Sequence, residues 1–139
     1  MNDLSRFLDA QRDVYASALA ELTRGRKEGH WMWFVFPQLR GLGHSAHADF
    51  YGIADLAEAS DYLQHPVLGP RLIECTQAVL SLAPMPLSQR FGYPDDLKFV
   101  SSMTLFSLAA GAPPVFSLAL DQCNRGQRDA ATLRLLAGR

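Results

Sequence analysis

The sequence predicts a mainly α-helical fold, compact and single-domain, with about six to eight helices and little or no sheet. Three observations carry that expectation. Apolar residues recur at i, i+3, i+4 and i+7 through most of the chain. Helix openers (Asn, Asp, Ser, Pro) and closers (Gly) stand at the matching ends of those stretches. No βαβ rhythm appears anywhere.

Leu4, Phe7, Leu8, Gln11, Val14, Tyr15, Ala18, Leu19 and Leu22 form one stripe, which predicts a helix over 3–24. Asn2 or Asp3 opens it and Arg24-Gly25 closes it. His30 to Pro37 is apolar on every side, so a buried strand and a buried helical turn read alike. Ser45 caps a short helix to about residue 51, and Asp55 with Glu58 spells a capping box for 56–64. Pro66 opens a helix over 67–82, with Leu68, Leu72, Cys75, Thr76 and Val79 on one stripe. A short helix is expected near 88–91. Pro94, Asp95 and Asp96 start the next, which runs to about Ala110 and carries no charge after Lys98; this is the expected central helix. Pro113 opens another that ends at Asn124-Arg125-Gly126, and Asp129 caps the last, through Leu136. No linker or repeat divides the 139 residues, so residues 1–139 are expected to form one domain.

Hydrophobic residues make up 48% and charged residues 19%, with a formal net charge of −1. That balance excludes disorder and offers no global field for nucleic acid or anionic lipid. Any anion site must be local. No charge occurs from Phe99 to Leu120, a length that could span a bilayer. Gly111-Ala112-Pro113-Pro114 and five hydroxyl residues break it, predicting two buried helices joined by a turn. Two cysteines, no glycosylation acceptor and no signal-type N-terminus point to a reducing, cytoplasmic setting without membrane attachment.

Several motifs bear on function. Gly41-Leu42-Gly43-His44-Ser45-Ala46 matches a dinucleotide fingerprint, but the acidic residue at the right distance, Asp61, falls inside a helical pattern rather than at a strand end. What survives is a helix opening at Ser45 whose free N–H groups either serve an ordinary cap or hold an anion. His44 and His47 have metal-ligand spacing but lack a full ligand set, so no metal and no cofactor are expected. Cys75 reads as core, and Cys123 sits at a helix C-terminus, where a thiolate is disfavoured. Arg24, Arg26 and Lys27, with His30, form the one basic cluster: a match to a helix C-terminus or a phosphate clamp. Trp31, Trp33, Phe34 and Phe36 are either core or a stacking wall, bracketed by His30 and Gln38 as directional donors and acceptors. In Asp95-Asp96-Leu97-Lys98-Phe99-Val100-Ser101-Ser102-Met103-Thr104, polar groups lead into a buried helix. Either Asp95 pairs with Lys98 at i, i+3 and the hydroxyls back-bond to the helix, or Lys98 and a carboxylate stand at a pocket mouth lined by Ser101 or Ser102.

Three long phrases (His30–Leu39, Tyr62–Leu72 and Asp95–Phe106) together resemble the bacterial family called domain of unknown function 1810, whose members are sometimes mislabelled calpastatin. The resemblance covers nearly the whole chain, since Arg6-Phe7, Ala10-Gln11 and Asp129–Leu133 also fit. It implies a small, mainly helical single domain and no settled activity. The recurring polar positions of that family fall here on Lys27, His30, Gln38, Ser45, His65, Arg71, Asp96, Lys98, Ser101 and Ser102. A more distant resemblance, in the stretch from Glu58-Ala59 to Arg71 and in Asp96 with Lys98, is to the family that processes NAD- and ADP-ribose-linked compounds. It implies N-glycosidic cleavage with a carboxylate stabilising an oxocarbenium-like transition state.

Together these readings place one polar-lined, aromatic-walled pocket among 27–38, 44–51 and 95–104. Its expected ligand is small, anionic and nucleotide-like. Two functions remain open: an enzyme with Asp96 and Lys98 as acid/base or electrostatic groups, or a non-catalytic module for a metabolite or protein partner. In both, Lys27, His30, Trp31, Trp33, Gln38, Ser45, Ser101 and Ser102 contact the ligand. Nucleic acid is not an expected partner, and the oligomeric state is left open.

Overall fold

A computed structural model describes residues 2–139. Ten helices stand among them: α1 (Ser5–Gln11), α2 (Tyr15–Arg24), α3 (Met32–Val35), α4 (Ala46–Phe50), α5 (Leu56–Gln64), α6 (Leu68–Ser81), α7 (Leu87–Phe91), α8 (Asp95–Ser107), α9 (Val115–Cys123) and α10 (Ala130–Ala137). The described residues contain no sheet, only an isolated parallel bridge between Leu39 and Ile53.

The count exceeds six to eight for two physical reasons. The stripe over 3–24 serves two partners, since α1 packs on α3 and α2 packs on α6. The chain therefore turns at Arg12–Val14 instead of running straight. Gln11 ends α1 inside the core, where its Nε2 donates to the Phe34 carbonyl at 2.7 Å and to the Tyr62 hydroxyl at 3.1 Å. The apolar run 30–37 resolves as the single turn α3, with Trp31, Met32, Phe34, Val35 and Phe36 all buried.

α8 is the central element. It packs against α5, α7, α9 and α10, and every residue from Phe99 to Phe106 is buried. Two of its buried hydroxyls are satisfied along the helix: Ser101 Oγ donates to the Leu97 carbonyl and Thr104 Oγ1 to the Val100 carbonyl. Thr104 also accepts the Asp129 N–H at 2.9 Å, fixing the start of α10. The uncharged stretch 99–120 divides between α8 and α9, and no described helix is long and apolar enough to cross a membrane.

Three expected side-chain caps form, one with a change, while α1 starts after Leu4 without a side-chain cap. Ser45 and Asp129 accept the N–H groups of Ala48 and Thr132. Asp55 accepts from Glu58, but Glu58 turns back to the N–H of Ala54, one residue earlier than a capping box requires, because it also pairs with Arg6. Gly25 closes α2 in the left-handed region, at φ +81°. At Gly69 the α5–α6 corner is so tight that a Cβ would stand 2.0 Å from the Leu63 carbonyl oxygen.

Candidate functional site

The polar residues of 27–33 and 95–98 meet in space. Gly25 ends α2, and the chain passes Lys27, whose N–H donates to the Arg90 carbonyl at 2.8 Å. This brings the lysine to the first turn of α8. There Lys27 Nζ lies 2.8 Å from Asp95 Oδ2, and Lys98 Nζ lies 3.4 Å from Asp95 Oδ1. The two lysines are not equivalent. The Lys27 side chain is 8% exposed, donates to the Gly29 carbonyl and stands 5.1 Å from the Trp31 ring centroid. Lys98 is 24% exposed and more loosely held. Lys27 is thus the partner that compensates Asp95, and Lys98 keeps the freedom to meet another anion.

Lys98 stands 4.7 Å from the centroid of the half-buried Trp33 ring, a cation–π distance. The same ring stacks on exposed His47 at 4.8 Å, and His47 lies nearly parallel to Tyr51 at 6.4 Å. Phe50 meets Tyr51 edge-on at 4.8 Å and is 57% exposed. A row of rings therefore runs from the ammonium of Lys98 along α4. That helix buries none of its residues.

Behind this row lies a structural knot. Trp31 is 1% exposed and its Nε1 donates to Glu21 Oε1 at 3.0 Å. The same oxygen accepts the N–H groups of Glu28 and Gly29. Burial pushes the Glu21 carboxyl up, but the three donors outweigh it and hold it below its ordinary 4.5. Trp31 belongs to the core, presenting no face to solvent.

The other sequence-predicted site residues are placed as follows. Asp96 uses Oδ1 to accept the N–H of Leu97 in its own turn. Positions two apart on a helix do not share a face, so the carboxylate that meets Lys98 is Asp95. Its i, i+3 spacing was the available signal. His30 is exposed, and Ser45 is spent on the cap of α4. Gln38 joins Trp33 in a crevice of only about 10 Å³, room for about one water. Ser101 and Ser102 are buried in α8; Ser102 Oγ has no hydrogen-bond partner among the described residues. His47, absent from the expected ligand set, belongs to the ring row, and its separation of fourteen residues from Trp33 gave no periodic sign of it.

His65 and Arg71 serve the fold. His65 Nδ1 accepts the N–H groups of Val67 and Leu68 at the opening of α6. Arg71 donates to Gln11 Oε1 and covers the Tyr15 ring at 4.6 Å. Both cysteines are free, and burial pushes the Cys75 thiol up to about 12. Among the described residues no three His, Cys, Asp or Glu side chains gather as metal ligands.

Comparison with known proteins gives two findings. The family model described as "Protein of unknown function (DUF1810)" matches residues 1–136. The crystal structure of a conserved hypothetical protein, Rv1873 from Mycobacterium tuberculosis, superposes with a TM-score of 0.94 at 54% identity, over 97% of this chain and 96% of that one. No curated protein matches. The resemblance to NAD- and ADP-ribose-processing proteins has no counterpart in these comparisons.

Proposed function

The chain belongs to the DUF1810 family, and from that premise we propose that it is a non-catalytic binding protein for a small, anionic, nucleotide-like ligand. The ligand's ring lies along the row of Trp33, His47 and Phe50, and its anionic group meets Lys98. One observation carries this reading. A loosely paired ammonium stands over the same tryptophan ring that stacks on His47, and α4, which presents His47, buries nothing of its own. Such an element adds little to the core, and its rings face outward where a flat ligand can stack.

Catalysis by Asp96 with Lys98 is less well supported. The two lie on different faces of α8, Asp96 is turned into its own helix, and the crevice beside Trp33 is too small for a substrate. N-glycosidic cleavage needs a carboxylate aimed at an enclosed sugar carbon.

Titration with ADP, followed by tryptophan fluorescence and by calorimetry, tests the proposal. Saturable binding, weakened about tenfold by either Lys98→Ala or His47→Ala, is the expected result, corresponding to about 1.4 kcal/mol each. ADP-ribose and NAD incubated with the protein should be recovered intact. Absence of saturable ADP binding would overturn the ligand assignment, and release of nicotinamide or free ribose would restore the enzymatic one.

A further inference from the structure

Beside α4, a second constellation uses none of the residues assigned above to ligand contact except Phe50. An open cleft of about 380 Å³ is lined by Arg6, Arg40, Asp49 and Phe50. Arg6 comes from α1 and Arg40 from the loop before α4. Both guanidinium groups donate through Nη2 to one oxygen, the Gly52 carbonyl, at 3.0 and 2.9 Å. Two cations bound to one oxygen stand within about 6 Å of each other, a separation at which their repulsion is felt unless carboxylates compensate it. Only Arg6 has such a carboxylate, Glu58 at 3.3 Å. Arg40 pairs with none within 4.0 Å among the described residues.

The loop is shaped to hold this arrangement. A Cβ on Gly52 would lie 2.6 Å from Arg40 Cβ and 2.9 Å from the Ala48 carbonyl oxygen, so only glycine lets the two backbones close. Arg40 is also anchored by Nε, which donates to the Asp49 carbonyl at 3.0 Å. With Nε and Nη2 engaged, Nη1 keeps unused donors. An anchored guanidinium sacrifices little rotamer freedom when it receives an oxyanion. Asp49 lines the same cleft, yet its carboxylate makes no ion pair with Arg40. A fixed cation and an acidic residue that do not pair thus line one space with the exposed Phe50.

We infer that this cleft binds a small zwitterion, an α-amino acid with an apolar or aromatic side chain. Its carboxylate meets Arg40, its ammonium meets Asp49, and its side chain lies on Phe50. Charge selects this class. Arg6 is compensated by Glu58, and Arg40 with Asp49 leaves the cleft near neutral. A zwitterion matches both signs, whereas a phosphate would satisfy Arg40 and be repelled by Asp49.

The experiment is an NMR titration of the intact protein, following the amide signals of Asp49 and Gly52. Four probes are compared: L-phenylalanine, phenylalaninamide, N-acetylphenylalanine and inorganic phosphate. L-phenylalanine should give saturable shifts, and removing either of its charges should weaken binding at least tenfold. Asp49→Asn should abolish the discrimination against the N-acetyl compound while circular dichroism stays unchanged. Arg40→Lys, which keeps the charge but loses the fork, should weaken all carboxylate probes. No saturable shift with L-phenylalanine, equal binding of the N-acetyl compound, or tighter binding of phosphate would each overturn the inference. Arg40→Lys should leave ADP binding, carried by Lys98 and His47, unchanged, which separates this cleft from the ADP site although both use Phe50.

Discussion

Glu21 shows how far a single side chain reaches. One of its oxygens accepts three N–H groups, from Glu28, Gly29 and Trp31, and fixes the loop that delivers Lys27 to Asp95. Its carboxyl is held below the ordinary value. Its contribution to stability is therefore present above about pH 4.5 and is lost as pH falls through the lowered folded value. Acid titration of the folded protein by circular dichroism should show that loss, and Glu21→Gln should flatten it at a cost of about 2 kcal/mol at neutral pH. Lys98→Ala makes the contrast. The lysine is partly exposed and loosely paired, so chemical denaturation should register less than about 1 kcal/mol. A loss nearer 3 kcal/mol would identify Lys98 as a necessary member of a buried pair. The sequence held the i, i+3 signal for Asp95 with Lys98, yet the same stretch offered Asp96 equally. Only the helix phase decides between two adjacent carboxylates.

At the scale of elements, two corners hold the helices in register. Gly69 permits α6 to leave α5 against the Leu63 carbonyl. Gly69→Ala should cost about 3 kcal/mol in urea unfolding, since the obstacle is backbone and cannot rotate away. Arg90 is buried without a carboxylate partner among the described residues. Its Nη1 donates to the Val79 carbonyl and its Nη2 to Met85 at 2.8 Å, so one cation gathers the end of α6 and the loop before α7. Arg90→Met should lower the unfolding free energy by about 3 kcal/mol, because two carbonyls lose their donors together. The helix positions after residue 44 were legible from caps and prolines, which act locally. The break inside 3–24 was not, because it arises from α1 and α2 docking on different partners. Neither was α3, whose apolar run looks alike as strand or helix.

At the scale of the molecule, the fold rests on packing around α8 and α6, with neither cysteine in a disulfide. Reductant should leave the melting temperature within a few degrees, and iodoacetamide at pH 8 should leave buried Cys75 unmodified in the native state. Of the pocket expected among 27–38, 44–51 and 95–104, the sequence made legible that polar groups beside apolar runs must meet, as Lys27 and Trp33 do with Asp95 and Lys98. Trp31, Ser101 and Ser102 are buried in the interior instead of lining it. It did not reveal the Arg6–Arg40 pairing, which depends on a loop closure at Gly52 that no periodicity encodes. The short helix α4 has a last consequence. Because it buries none of its residues, its opening free energy is set by a few hydrogen bonds and ring contacts, far below that of the core. Its amides should exchange with solvent orders of magnitude faster than those of α8. Under the proposed function, substitutions at His47 or Phe50 should alter ligand binding while the melting curve hardly moves, so recognition at this surface is uncoupled from the stability of the core.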